Sequence, residues 1–525
     1  RHERNSKPIS CITTAGTPQY VYPHQSLRWK EGKMAGQIDV EKNVESKGLE
    51  KTLTFDDDPS LNPQNFPQAC KILILSIAVL LTTSSTCGTS LASGGAKATL
   101  RDFGLPDAYG WEVLPVSIYL VGYFIGNTAL APLSENYGRR PVNLSTIVFY
   151  MIWMMACALA PNWAAFNVFR LLNGFFSAGA PATVSGICAD LYSDDMRRGR
   201  ALLWYNMATT LGSTLGPLIS GFAVFDNWRL SYWIGLGYGG ICFLGVLFLI
   251  PETNSRTILD KRAKKIRKTE GTGLPRRPHE DDTFIWQDLL TKVLIRPVRM
   301  LCREPLVLGS CLYLAFQYSI LYIYLQSYSI IFQDIYGFNT GEKGLAFIPI
   351  AVGTLSAFPV NILIEQVYLN ACSQDSPWTK HHGARRLPAA CISGPLIVTS
   401  LFWSAWTSRP SIHWSSSVLS GVLYGLGYTL NFNALLNYLV DGYASYASSA
   451  NAASSLTRQI MGAALPFAAV PMYDALGVGW ASSLLGFVAA IMSIIPFLFW
   501  MYGEKLLAKS ILAQELAREK ERECR

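Results

Sequence analysis

Pro132-Leu-Ser-Glu-Asn-Tyr-Gly-Arg-Arg-Pro141 is the stretch whose reading decides the fold. It is a tight, charged turn between two long apolar runs, about 112–131 and 142–160. A connection this short forces the segments it joins to lie antiparallel and adjacent. Glu135, Arg139 and Arg140 keep the turn in water. The two arginines assign that water to the cytosolic side of a bilayer.

Working outward, apolar runs of similar length recur near 70–93, 112–131, 142–160, 164–188, 200–222, 231–250, 306–332, 345–369, 388–406, 413–439, 447–472 and 480–502. Each is long enough to cross about 30 Å of hydrocarbon as a helix. Gly, Ser and Asn dilute the fifth and eleventh. Membrane strands would alternate over about 10 residues, and these runs are continuous. Of the 525 residues, 50% are hydrophobic and 15% charged, against about 25% charged in a soluble chain.

The net charge of +8 does not point to nucleic acid. With the amino-terminal tail in the cytosol, about 27 Lys and Arg fall in the inner loops and carboxyl tail and about 10 in the amino tail. Five (Lys97, Arg101, Arg229, Lys343, Arg409) face outward. This is the asymmetry of a polytopic membrane protein. The 11 Cys have no C-x-x-C pair or framework spacing, so they read as packing residues. The six His have no metal-ligand spacing, and no Walker loop occurs, which removes ATP-driven transport by this chain alone. Gly235-Leu-Gly-Tyr-Gly-Gly240 satisfies G-x-G-x-x-G, but inside an apolar span with no strand before it, so it is helix packing.

Five segments follow: a disordered cytosolic tail, 1–68; a first six-helix bundle, 69–251; a basic cytosolic linker, 252–305; a second six-helix bundle, 306–503; and a cytosolic tail, 504–525. No cleavable signal pattern precedes the first span, and with Arg1 in place of Met the start of the protein is left open. The linker contains Lys261-Arg-Ala-Lys-Lys-Ile-Arg-Lys268. Its plain reading is a solvated helix against an anionic leaflet.

Individual residues suggest a pathway between the halves. In the seventh span Tyr313, Gln317, Tyr324 and Tyr328 share one helical face, and Tyr318, Tyr322 and Gln326 another. Tyr424, Tyr428 and Asn431 align in the tenth, as do Tyr119, Tyr123 and Asn127 in the second. Such stripes usually pack, but several converging ones with amides suit an aromatic or amphipathic ligand. Arg170 in the fourth span costs at least about 2.5–3.5 kcal/mol at mid-membrane, so a cavity or partner is expected for it rather than simple snorkelling. Arg458 in the eleventh poses the same question, with structural pairing an even alternative. No central acid is visible: Glu112 and Asp190 sit at span ends and Glu365 late in the eighth.

The opening turn resembles the loop between the second and third helices of the major facilitator superfamily, G-x-L-a-D-r-x-G-r-k, with Pro132 at its first Gly, Glu135 at its Asp, and Gly138, Arg139 and Arg140 matching. Gly212-Ser-Thr-Leu-Gly216-Pro217-Leu-Ile-Ser-Gly221 resembles that family's antiporter motif, G-x-x-x-G-P-x-x-G-G, with Ser220 for one Gly. Arg170-Leu-Leu-Asn173-Gly174 resembles R-x-x-q-G, whose arginine the family associates with proton transfer. Asp57-Asp-Pro-Ser-Leu-Asn-Pro-Gln-Asn-Phe66, Pro251-Glu-Thr253, Arg303-Glu-Pro305, Tyr438-Leu-Val-Asp-Gly-Tyr443 and Ser449-Ala-Asn-Ala452 are similar to the fungal twelve-helix drug:proton antiporter branch. Many relatives carry an acid shortly before the Arg-Leu that opens the ninth span. Here Gly383-Ala384 precedes Arg385-Arg-Leu387, which removes that acid from any salt bridge at the second half's inner gate.

The resemblance implies an all-α integral membrane protein with twelve transmembrane helices in two six-helix bundles. It implies a secondary active exporter, a proton antiporter, of small hydrophobic or amphipathic compounds such as drugs, toxins or secondary metabolites. A facilitator or importer of a nutrient or polyamine is the alternative. A sensor signalling through 252–305 lacks a signalling module, and a membrane enzyme lacks a catalytic constellation. Expected substrate contacts are Tyr123, Asn127, Asn173, Phe176, Gln317, Tyr318, Tyr322, Tyr428 and Asn431. Arg170 and Glu365 are expected in proton coupling. Glu135, Gly138, Arg139, Arg140, Asp190, Gly212, Gly216, Pro217 and Gly221 are expected in gating, with Asp190 pairing Arg139 or Arg140 and Glu135 drawn to the start of the eleventh helix. Partners are the substrate, protons and the lipid bilayer, with no nucleic acid, cofactor or metal. A monomer is expected, in the plasma membrane or alternatively the vacuolar membrane.

Overall fold

A long apolar segment in hydrocarbon satisfies its backbone polar groups most directly by closing hydrogen bonds within itself. The computed structural model places helices over all twelve apolar runs. It describes residues 55, 58–106, 109–225, 227–270, 295–381, 383–443 and 446–510. The expected tail before residue 55, most of the linker's second half and the tail past 510 lie outside these.

In the first half, α1 (Gln68–Gly94) leads through the short α2 (Ala96–Asp102) to α3 (Tyr109–Tyr137) and α4 (Arg139–Ala158). The fourth span is broken at Ala178 into α5 (Trp163–Ser177) and α6 (Gly179–Leu191). Then come α7 (Asp195–Ala223) and α8 (Leu230–Leu249). The linker contributes α9 (Ser255–Glu270) and α10 (Arg296–Arg303).

In the second half α11 (Pro305–Tyr328) runs on as a π-helical turn over Ser329–Ile335. It is followed by the short α12 (Thr340–Leu345), then α13 (Ile348–Ser373), α14 (Leu387–Thr407) and α15 (Trp414–Gly442). The last spans are α16 (Ala447–Ala464), α17 (Pro466–Met492) and α18 (Ile494–Lys509). Gly477 (φ 73°, ψ 163°) breaks the helical path inside α17, so the turn between the eleventh and twelfth spans is a single left-handed residue. Among the described residues, eight helical stretches suffice by length and composition alone to cross a membrane. The remaining runs are helical too, but shortened by breaks or diluted by polar and small residues.

Two expectations are corrected. The opening stretch is not a ten-residue loop: α3 continues through Pro132 to Tyr137, and only Gly138, at φ 103°, separates it from α4. Residues 59–65, assigned to a disordered tail, form two 3-10 turns. The Asn62 side chain accepts from Gln64 N at 3.0 Å, Asn65 Nδ2 donates to Pro59 O at 2.8 Å, and Asp58 pairs with Arg262 of α9 at 3.0 Å.

Each half has its own apolar core, while Ile72, Ile241, Phe248, Ile491 and Met501 face outward. Small residues set the close crossings, as expected where lipid offers no hydrophobic drive. A Cβ on Gly122 or Gly126 of α3 would collide with the Leu171 or Phe175 carbonyl of α5, and one on Gly174 with the Tyr119 carbonyl. Gly212 and Gly216 of α7 sit in the same way against Thr86 and Ser90 of α1.

Gly174→Ala should therefore cost about 1–3 kcal/mol through overpacking, read as earlier thermal unfolding in detergent. Gly237→Ala, which meets nothing within 4 Å, should melt no earlier than the parent. Equal melting of both variants with the parent would show that α3 and α5 part freely.

Candidate functional site

The halves meet across a packed cluster of tyrosines. Tyr123 of α3 and Tyr205 of α7 come from the first half, and each lies within electrostatic range of Tyr318 of α11. The Tyr318 hydroxyl is 3.1 Å from that of Tyr322 and donates to Gln459 Oε1 of α16 at 3.3 Å. Tyr428 of α15 stacks on Phe432, with centroids 5.8 Å apart, and is near Tyr318, Tyr205 and Arg458. The Arg458 guanidinium lies 4.4 Å from the Phe432 ring centre and 5.8 Å from that of Tyr318. Its Nε donates to Ser454 O, one turn back on its own helix, at 3.1 Å. Phenolic hydroxyls, one amide and one cation can together hold a ring and a polar head group.

Contacts between the halves flank this cluster at both ends. At the end carrying the Lys- and Arg-rich loops, called here the basic end, Arg200 of α7 pairs with Glu365 of α13 at 2.8 Å. Asn206 donates to Asn433 Oδ1 at 3.3 Å, and Asn127 donates to Ser455 Oγ at 3.0 Å. At the opposite end α12 lies along α7: a Cβ on Gly221 would come within 2.6 Å of Thr340 O, and one on Gly344 within 2.8 Å of Pro217 O. Ser117 Oγ donates to Ala463 O there at 2.7 Å. A small void lies inside the first bundle, beside Ser85, Tyr150 and Phe176, and holds about 10 Å³. That is room for about one water.

The other expected contacts face elsewhere. Asn173 donates to Tyr150 O at 3.0 Å within the first bundle, and Phe176 stacks on Phe149 at 4.8 Å. Gln317 and Asn431 bond each other at 2.9 Å between α11 and α15. A polar residue among apolar neighbours can satisfy itself inside its own bundle, so helical spacing alone did not separate these from cluster residues. Arg170 is fully buried, but in no cavity. It donates to Gly88 O (2.7 Å), Thr89 O (2.8 Å) and Pro115 O (3.1 Å) and lies over the Tyr119 ring at 4.5 Å. No carboxylate among the described residues reaches it.

Around Gly138 the basic end of the first half is closed by its own residues. Glu252, just past α8, accepts from the backbone N–H of Arg139 (2.8 Å) and Arg140 (3.3 Å), capping a helix start that has no side chain of its own to do so. A carboxylate at a helix amino terminus also complements its dipole. The expected Arg139–Asp190 pair is present at 3.4 Å. Burial raises the Asp190 carboxyl above its ordinary range, and Arg139 works against that shift. Glu135 does not reach the eleventh helix: it is exposed, and its carbonyl accepts from Asn254 Nδ2 at 2.9 Å. The second half, expected to lack its loop acid, forms a salt bridge after all, because Asp441 at the end of α15 reaches Arg386 at 2.9 Å.

Sequence reading missed Glu252, Arg200, Tyr205, Asn206 and Gln459 as contacts. A usable signal was present for two of them: Tyr205, Thr209 and Ser213 recur at i, i+4 along the fifth span, with Asn206 beside them.

The profile of the Major Facilitator Superfamily matches residues 78–466. Among curated proteins, the efflux pump radE of Floropilus chiversii is 33% identical, over 86% of this chain and 83% of that one. The efflux pump FUB11 of Gibberella moniliformis is 32% identical, over 95% and 84%. The citrinin biosynthesis cluster MFS transporter mrr1 of Monascus ruber is 33% identical, over 86% and 90%. Among solved structures, the proton:xylose symporter XylE aligns with a TM-score of 0.59 at 16% identity, covering 86% of this chain and 100% of that one. The human organic anion transporter MFSD10 aligns at 0.55 and 16%, covering 82% and 100%.

A carboxyl whose pKa is raised on folding contributes stability that is complete below its unfolded pKa and lost as pH climbs through the folded one. The purified protein should therefore lose a little thermal stability as pH rises from about 4 through the window just above it. Asp190→Asn should flatten that slope, and an unchanged slope would assign it to another group.

Proposed function

We propose that this chain, which belongs to the Major Facilitator Superfamily, exports small hydrophobic or amphipathic organic compounds by alternating access. The transporter class follows from family and fold. Direction and substrate are our reading, and one observation carries it: a cluster of aromatic and amide side chains from both halves, flanked at each end by contacts between them. The two relatives named as efflux pumps support export over uptake, and a nutrient importer on the same fold is the reading they disfavour. We assign the basic end to the cytosol by its charge and the protein to the plasma membrane as a monomer, with the vacuolar membrane as the alternative site.

In this scheme Tyr123, Asn127, Tyr318, Tyr322 and Tyr428 line the substrate space. Asn173, Phe176, Gln317 and Asn431 support it from inside their bundles. Gly212 and Gly216 let α7 ride close on α1, while Pro217 and Gly221 seat α12 at the outer end. Gly138, Arg139, Arg140, Glu135 and Asp190 hold the basic end of the first half as one body, so that it moves as a unit. Antiport needs a proton to weaken one set of contacts. Glu365 suits that role, because its protonation removes the charge that holds Arg200. Arg170 acts at one remove, fixing α5 to α1 and α3.

Inside-out vesicles given an imposed pH gradient, acid inside, should accumulate a lipophilic test compound. Accumulation that survives collapse of the gradient would defeat the antiport claim. Glu365→Gln should raise, several-fold, the labelling from the cytosolic side of a cysteine placed at Asn433. Unaltered labelling would show that the Arg200 pair is no latch.

A further inference from the structure

We infer that the site between the halves selects organic anions, with the Arg458 guanidinium receiving the substrate's carboxylate or an equivalent acidic group; this rests on the exporter reading above.

Well inside their helices the spans carry Arg170 on α5, Arg458 on α16, Glu365 on α13 and Asp474 on α17. Neither acid is paired with Arg458. Glu365 is held by Arg200 at the basic end, and Asp474 is exposed beside the Gly477 turn at the other. Arg170 is consumed by three carbonyls.

Arg458 is not. Of its five N–H donors, one bonds Ser454 O, and the plane otherwise rests against the Phe432 and Tyr318 rings. No carboxylate among the described residues reaches it. Arg458 is half-buried, and a guanidinium held this way keeps a net positive charge that an anion would neutralise without moving the helix. Its surroundings suit such a guest. The Gln459 amide nitrogen supplies a further donor beside the hydrogen-bonded Tyr318–Tyr322 pair, and the tyrosines of the cluster offer faces to a ring.

A cationic substrate fares worse in the same space. Aromatic rings do attract cations, but the nearest face, Phe432 at 4.4 Å, is already covered by Arg458. An ammonium group entering beside it would meet like charge with no acid to offset it. Polyamines and cationic drugs are therefore the disfavoured cargo.

The test is equilibrium binding of three probes to the full-length protein in lipid nanodiscs, followed by naphthyl fluorescence: 1-naphthoate, 1-naphthamide and 1-naphthylmethylamine. Naphthoate should bind at least about tenfold more tightly than the amide, the scale of a charge-assisted pair, and the amine most weakly. Arg458→Gln should abolish that preference while leaving amide binding in place, and Arg458→Lys should keep part of it. Thermal unfolding of each variant checks that it is folded; if Arg458→Gln is not, the wild-type ranking decides alone. An amide or amine that binds as tightly as naphthoate, absence of naphthoate binding, or an Arg458→Gln protein that binds naphthoate like the parent overturns the proposal. Gradient-driven movement of naphthamide without preference for naphthoate removes the anion site and leaves export standing. Tight naphthoate binding with no response to any gradient does the reverse.

Discussion

One buried guanidinium, held by carbonyls, organises the first bundle. Arg170 reaches from α5 to carbonyls on α1 and α3 at once, through bonds of 2.7–3.1 Å. A helical carbonyl already bonded along its own helix keeps a second lone pair, so three helices hold one cation without breaking their ladders. Tyr119 and Tyr232 close over it at 4.5 and 5.9 Å. A charge-assisted bond contributes about 1.5–3 kcal/mol, and losing the guanidinium would remove the three bonds that tie α5 to α1 and α3 at this level. The glycine crossings of Gly122, Gly126 and Gly174 bring α3 and α5 near enough for this arrangement.

Much of this was legible in the sequence, for a plain reason. Lipid demands long apolar runs and closed backbone hydrogen bonds, so the runs and their helices coincide. The glycines of 212–221 announced a close crossing, and Arg139 and Asp190 announced their pairing by lying at the same end of adjacent spans. Facing was harder. Tyr119 and Tyr123 share one stripe, yet Tyr119 donates inward to Ser85 O at 2.7 Å while Tyr123 looks across to the other half. A residue on one helix does not carry the rotation of that helix within its bundle, and that rotation decides which stripe meets the partner half.

The two halves also repeat a design that their residues conceal. In the first, Arg139 after the Gly138 break pairs with Asp190 at the end of the fourth span. In the second, Arg386 before α14 pairs with Asp441 at the end of the tenth. Glu252 past the sixth span reaches back to that first turn, and Glu504 past the twelfth lies 3.6 Å from His381 in the matching connection. The acids are donated by helices far away in sequence, so inspecting either loop alone could not find them. The repeat belongs to the architecture.

A last consequence follows from α7. Its 29 residues form a rod of about 40 Å that touches the second half at both ends, through Arg200 and Asn206 at one and Pro217 and Gly221 at the other. Tilting such a rod by about 10° about its middle carries each end roughly 3–4 Å, in opposite directions. That travel would open an ion pair at one end while driving the other end further home. Both ends cannot part together unless the rod bends or the halves separate bodily. Such coupling denies the membrane a continuous pore through the protein.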